Sequence, residues 1–244
     1  VRLRSRLHAS SHIHYEPKGV VLIIAPWNFP INLTFGPLVT AIAAGNCVIV
    51  KPSEHTPHAS AVTKSIIEEV FDESEVAVVE GGIETSTSLL ALPFNHIFFT
   101  GAPAIGKVVM EAASKHLTSV TLELGGKSPT IVDEPIELIN SKEKPLALYI
   151  YSKSQPNIDR IMENTRAGGT CINHSMVHFN NNNLPFGGSN NSGIGKGHGF
   201  FGFEVFSNAR GVFKQLLPFS AIELMTAPFN KLKQTLIDLS IKYF

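Results

Sequence analysis

An α/β fold built on a doubly wound parallel sheet is the architecture this sequence predicts, and three observations predict it. Short apolar runs rich in Val, Ile and Phe recur at residues 19–26, 47–52, 76–82, 96–101 and 120–124. Segments with apolar residues at helical spacing separate several of them, as in a chain that alternates strand and helix. Pro26, Pro52, Gly81 and Gly82, Gly101 and Gly125 punctuate the strand ends, where the chain must turn. Strands alternating with helices lie parallel, with helices on both faces.

Taken in order, residues 1–18 carry Arg2, Arg4, Arg6 and three histidines with no long apolar period, and read as a surface arm leading into a strand. GVVLIIAP, 19–26, is an unbroken run of the kind buried on both faces. Pro26-Trp27-Asn28-Phe29-Pro30 follows, where two prolines fix the backbone around one amide side chain. Asn28 can then aim its NH2 at a developing oxyanion, or it can bond its own backbone as a turn residue. Leu33, Leu38, Ala41 and Ile42 fall near helical spacing, and Gly45-Asn46 supplies the stop. CVIVKP, 47–52, delivers Lys51 and Glu54 to a strand end. The pair could donate to and accept from the two hydroxyls of a ribose, or it could be a solvated ion pair. Thr56 and Pro57 open a helix with Val62, Ile66, Ile67 and Val70 expected on its buried face. After the strands 76–82 and 96–101, the turn from Gly101 through Ala102 to Gly106 opens a helix through Val108, Val109, Ala112 and Leu117. A strand, a glycine turn and a helix N-terminus suit an anion such as a dinucleotide, although the spacing is neither GxGxxG nor a P-loop.

The fifth strand carries the residue of most interest. Val120, Leu122 and Leu124 alternate with Thr121 and Glu123 and stop at Gly125-Gly126, which puts a carboxylate beside glycines at a strand end. Ligands of open α/β sheets collect outside the carboxyl ends of the strands, so Glu123 can act on one; a satisfied or solvated strand glutamate is the alternative.

Composition narrows the function. Lys plus Arg and Asp plus Glu number 20 each, which gives no electrostatic case for nucleic acid. Only 16% of residues are charged and 43% are hydrophobic, so the chain has little charge to cover its surface and is expected to hide some of it against something else. Cys47 and Cys171 form neither a disulfide framework nor metal-ligand spacing. With no run long enough to span a membrane and no signal-peptide core at the N-terminus, the expected location is the cytoplasm.

PWNFP (26–30), AAGNCVIVKPSE (43–54), FFTGAPAIGK (98–107) and VTLELGGKSP (120–129), in this order, resemble the aldehyde dehydrogenase superfamily, in the wording of its class 3 and fatty or coniferyl aldehyde branch in a bacterial form. The resemblance implies a Rossmann variant that binds NAD or NADP and oxidises aliphatic or aromatic aldehydes to carboxylic acids. It implies Asn28 as oxyanion donor and Glu123 as the base that activates water. It also implies a cofactor site of Trp27, Lys51, Glu54, Gly101, Ala102 and Gly106, and a homodimer formed through the C-terminal strand region. The family's GQTC stretch with its nucleophile and its EIFGP stretch are both absent, so a middle section is read as deleted at about residue 135.

The expected organisation is a cofactor domain at 1–134 and a remnant of the catalytic and oligomerisation region at 135–244. In the remnant, Leu146–Tyr151 reads as a strand and Pro156–Arg166 as a helix with Ile158, Ile161 and Met162 inward, stopped at Gly168-Gly169. Residues 168–211, with LPFGG, SGIG and HG, resemble the family's terminal segment. The distance from Cys171 to LPFGG fits a position that is not the family's nucleophile, despite the imitation of GQTC by AGGTC. Gly193, Gly195 and Gly197 imitate a dinucleotide fingerprint, but no strand is expected to enter the motif. The tail places Leu232, Leu236, Ile237, Leu239 and Ile241 on an amphipathic helix, packed on its own protein or, alternatively, lying on a membrane surface. The expectation is an aldehyde dehydrogenase by descent, impaired by loss of its thiol. The alternatives are a non-catalytic dinucleotide-binding relic and a partner-dependent fragment.

Overall fold

The computed structural model describes residues 3–5, 9–126, 135–216 and 226–243. The predicted strand at 19–26 is β3 (Val20–Ile24), preceded by β1 (Leu3–Ser5) and β2 (Ala9–Pro17). The arm read from the sequence is therefore itself extended. β1 pairs antiparallel with β2, for which a short mixed-polarity sequence gives no periodic signal.

From β3 onward the expected alternation holds: α1 (Asn32–Ala43), β4 (Cys47–Lys51), α2 (Pro57–Val70), β5 (Val76–Val78), α3 (Ile83–Leu90), β6 (His96–Gly101), α4 (Pro103–Ser114) and β7 (Ser119–Leu124). The five strands from β3 to β7 run parallel in the order β7-β6-β3-β4-β5. The order reverses at β3, whose neighbours are β4 and β6, and this is the switch point at which open α/β sheets take ligands. Both faces are covered, as a doubly wound fold requires. On one face Val21, Ile23, Val48, Val50 and Phe98 meet Leu38 and Ala41 of α1 and Ile67 of α2. On the other, Leu22, Ile24, Ile97, Phe99 and Leu122 meet Leu89 and Leu90 of α3 and Val109 and Ala113 of α4.

Several local expectations need correction. α2 turns Ser60, Thr63 and Ile67 inward and leaves Val62, Ile66 and Val70 exposed, because the stripe that faces the sheet lies one row away from the more apolar one. No side-chain hydrogen bond from Thr56 caps it. α4 ends at Ser114, so Leu117 lies beyond it and is exposed. β7 is buried from Thr121 to Leu124 on both faces rather than half-buried, since a sixth strand and a further segment cover it.

That sixth strand comes from the far end of the sequence. After α5 (Pro135–Asn140), the strand β8 (Ala147–Ile150), the helix α6 (Gln155–Asn164) and the strand β9 (Gly169–Ile172) form a two-stranded parallel sheet with its crossover. α6 stops at Asn164, earlier than read, and Met162 faces outward. β10 (Gly193–Ile194) then pairs antiparallel with β7, Gly193 opposite Glu123 and Ile194 opposite Leu122. α7 (Gly199–Val205) leads to Phe206, which is fully buried against Phe98 and His96 with ring centroids 5.5 and 5.3 Å away. One compact unit, Glu16–Asn208, contains all of this, so it holds residues from both sides of residue 134.

The second unit joins Val1–Tyr15 to Ala209–Phe244. It contains the sheet β1-β2-β11, where β11 is Ser207–Gln215, and the helix α8 (Lys231–Tyr243). None of the described residues of α8 is buried, and Leu232, Leu239 and Ile241 are exposed. Leu236 and Ile237 are half-buried, so among the described residues the packing of this helix on its own protein is at most partial. Among the described residues, no helix is long and apolar enough to cross a membrane.

Candidate active site

Strand register sets the site. Lys51, Ile24, Phe99 and Leu122 lie in one row across β4, β3, β6 and β7, at the carboxyl edge of the parallel strands. Everything singled out in the sequence follows that row. Lys51 and Glu54 stand at the end of β4, Trp27 and Asn28 in the turn after β3, Gly101 and Ala102 at the end of β6, and Glu123 one residue past the row on β7. Three strand spacings separate β4 from β7, about 14 Å, so the edge suits an extended ligand.

Lys51 is 3% exposed, and its ammonium donates to Glu54 Oε2 at 2.6 Å. That hydrogen bond holds the Glu54 carboxyl below its ordinary range. A buried donor beside an acceptor is the chemistry that two adjacent sugar hydroxyls need. Trp27 and Asn28 are exposed in the Pro26–Pro30 turn. Across the switch point, Gly101 and Ala102 lead into α4, whose N-terminus lies at that edge; its first residue, Pro103, has no N–H, and the N–H groups of Ile105 and Gly106 donate to the Ala102 carbonyl at 3.0 Å each. Gly106 lies against β7: a Cβ there would fall 2.8 Å from Leu124 Cδ2, so a larger residue would require the Leu124 side chain to shift. The donor set thus fits a nucleotide, with polar hydroxyl partners at one end and a helix N-terminus at the other.

Glu123 is 9% exposed, and neither carboxylate oxygen has a hydrogen-bond partner among the described residues. Burial pushes its pKa up to about 8, against a smaller opposing pull from Lys196. Among the described residues it has neither a hydrogen-bond partner nor exposure to solvent, which fits neither ordinary reading of a strand glutamate. Its cover comes from LPFGG and SGIGK. A Cβ on Gly187 would lie 2.8 Å from Glu123 Oε1, and one on Gly197 3.8 Å away. Lys196 donates to the carbonyls of Gly168, Gly187 and Gly188 at 3.0, 2.5 and 2.9 Å, tying these turns together. Lys196, Gly188 and Gly193 also line, with Arg166 and Ser189, an open polar cavity of about 570 Å³. Lys196 was not legible from the sequence, since a lysine among glycines has no periodicity to report its contacts.

Beside this wall lies an aromatic box. Phe186 of LPFGG stacks on His198 with centroids 4.9 Å apart, and Phe179 meets both rings edge-on. His178 is buried between Tyr149 and Phe186, and burial lowers its pKa. Cys171 is buried in β9, and Cys47 opens β4 at the amino end, away from the carboxyl edge. No group of three or more potential metal-ligating side chains occurs among the described residues.

A doubly wound sheet with a Lys–Glu pair, a glycine turn and a dry carboxylate along its carboxyl edge defines a protein of dinucleotide-binding architecture. The chain belongs to the aldehyde dehydrogenase family, whose profile matches residues 2–138 and again 132–212. AldX of Bacillus subtilis is 33% identical over 343 aligned residues, covering 85% of this chain and 77% of AldX. The rat dimeric NADP-preferring aldehyde dehydrogenase is 31% identical, covering 82% of this chain and 72% of that one. The substrate-bound structure of Staphylococcus aureus AldH superposes with a TM-score of 0.92 at 27% identity, over 98% of this chain and 81% of that one.

Proposed function

We propose that this chain descends from an NAD(P)-dependent aldehyde dehydrogenase that has lost its middle section, and that it keeps the nucleotide edge and the base while lacking the nucleophile. The observation that carries this reading is the break in the family match. Its two segments meet and overlap at residues 132–138. The alignment with AldX spans 343 residues, more than the 244 of this chain, so the relative has sequence with no counterpart here.

In this reading Lys51 and Glu54 hold the adenosine ribose. Trp27, Gly101, Ala102 and Gly106 border the rest of the cofactor, either NAD or NADP, which would supply hydride acceptance when bound. Asn28 donates to the oxyanion of an aldehyde adduct, and Glu123 takes a proton from water. Only the ionised carboxyl can take that proton, and with a pKa raised to about 8 the ionised form grows as the pH rises from neutral, so action of this base should increase toward alkaline pH. What fails is the covalent step. Cys47 lies at the wrong end of the sheet and Cys171 is buried, so water must form the tetrahedral adduct without a positioned thiolate. The expected loss is several orders of magnitude, by analogy with nucleophile removal elsewhere. Action on aldehydes in the cytoplasm, as a homodimer, completes the proposal.

The test is nucleotide binding by calorimetry beside NADH or NADPH formation with a medium-chain aliphatic and an aromatic aldehyde. Binding without turnover is the expected result. Turnover that disappears in Cys171→Ser would show a recruited thiol and overturn the impaired reading. Lys51→Met should weaken nucleotide binding at least about tenfold, the lower value of one hydrogen bond from a charged donor; unchanged affinity would remove Lys51 from the site.

A further inference from the structure

We infer that Lys196 is a positioning residue for Glu123: its ammonium ties together three turns so that the Gly187–Gly188 wall stays closed over one side of the carboxyl and keeps bulk solvent, as distinct from a single reacting water, from it. The inference rests on the reading of Glu123 as the base, and it concerns what prepares that base.

Three backbone carbonyls, of Gly168, Gly187 and Gly188, converge on Nζ, which matches the three donors of an ammonium. Gly168 opens the β9 segment and the other two belong to LPFGG, so one side chain joins two separate stretches. Gly187 lies beside the Glu123 carboxylate, close enough that a Cβ would crowd Oε1. The remaining cover is also fixed near Lys196: Gly193 pairs with Glu123 on β10, and the capping box of Ser189 and Ser192 shapes the turn between. Outside the wall is the polar cavity of about 570 Å³, which supplies water if the wall loosens.

Among the described residues, charged groups around Glu123 are few. Lys196 is the charge whose field it feels, and Arg166 in turn acts on Lys196. Thr100 on β6, Gly193 on β10 and the Phe186–Gly188 turn bring no charge against it. Two effects of removing Lys196 therefore oppose each other. Loss of a positive charge would raise the Glu123 titration midpoint, while entry of water would lower it. Burial is the larger influence on Glu123, so water entry should win.

The experiment is a carbon-13 glutamate NMR titration of the full chain, the Glu123 signal being assigned with Glu123→Gln, in the parent, Lys196→Met and Lys196→Arg. The expected result is a midpoint lowered by one unit or more in Lys196→Met, on the order of a charged neighbour's influence. Faster amide exchange at Gly187, Gly188 and Gly193 should accompany it, with both effects largely reversed in Lys196→Arg. A midpoint that rises shows that Lys196 acts through its charge alone, and one that stays put shows no link to Glu123; either overturns the inference. If Lys196→Met does not fold, the parent decides by its nitrogen-15 lysine spectrum. Slow exchange of the Lys196 ammonium protons supports the three-carbonyl tie, and fast exchange overturns it. None of these readouts needs turnover. A chain that fails to bind nucleotide but passes this test would sink the dehydrogenase reading and leave the Lys196 inference standing.

Discussion

Glu123 carries a free-energy cost that can be measured. In the unfolded chain it titrates near its ordinary value of 4.5, and in the folded protein near 8. The folded state therefore holds a proton that the unfolded state releases, so stability is fully present below about pH 4.5 and declines as pH rises through 8. Glu123→Gln should remove this slope and make the protein more stable at pH 8, by a few kcal/mol at the order of magnitude of one unit per 1.4 kcal/mol. The gain should vanish at pH 4.5. Urea unfolding of both proteins at the two pH values checks it, and equal stability at pH 8 would mean the carboxyl is hydrated. The need for a glutamate was legible in the sequence from its strand end beside Gly125-Gly126, but its dryness was not. Dryness depends on Gly187 and Lys196, more than sixty residues downstream, and no local pattern connects them.

At the scale of elements, the fold was legible wherever a strand was a long β-branched run. β3, β4 and β6 lie close to where GVVLIIAP, CVIVKP and HIFFTG put them, because hydrophobic strands buried on both faces need no partner to announce themselves. The opposite case is β10, two residues long and half glycine, whose place on β7 follows from turn geometry alone. At Gly195, φ is +85°, a left-handed conformation that glycine adopts without strain, and it turns the chain away just after the pairing. Phe206 was equally illegible. It closes α7, its carbonyl accepts from Lys18 N and Asn46 Nδ2, and its ring fills the core between Phe98 and His96. Phe206→Ala should cost about 3–5 kcal/mol, as for other buried aromatics. Denaturant titration followed by near-ultraviolet dichroism checks this; a loss under 1 kcal/mol would mean that the far segment is dispensable to the sheet.

For the whole molecule, opposed titrations set a pH window. His96 is buried with hydrogen-bonding contacts to Ser119 Oγ and Thr121 Oγ1, and burial, helped by Lys18, lowers its pKa to about 3. The unfolded chain takes up this proton below 6.5, so stability present above 6.5 is lost as pH falls toward 3. His178 and His198, also lowered by burial, add to that acid limb. Glu123 supplies the alkaline limb. A stability maximum near pH 6.5 is expected from urea midpoints between pH 4 and 9, with His96→Gln flattening the acid side; a monotonic profile would contradict the buried states of these groups. The late arrival of β10 has a further consequence during synthesis. Residues 122 and 123 leave the ribosome about 70 residues before their partners at 193 and 194. At about 5–20 residues per second, the outer edge of β7 stays unpaired for roughly 4–14 seconds. An open strand edge invites pairing with other chains, so the nascent protein is most in need of a chaperone during that interval, and its dependence should ease once Ile194 has emerged.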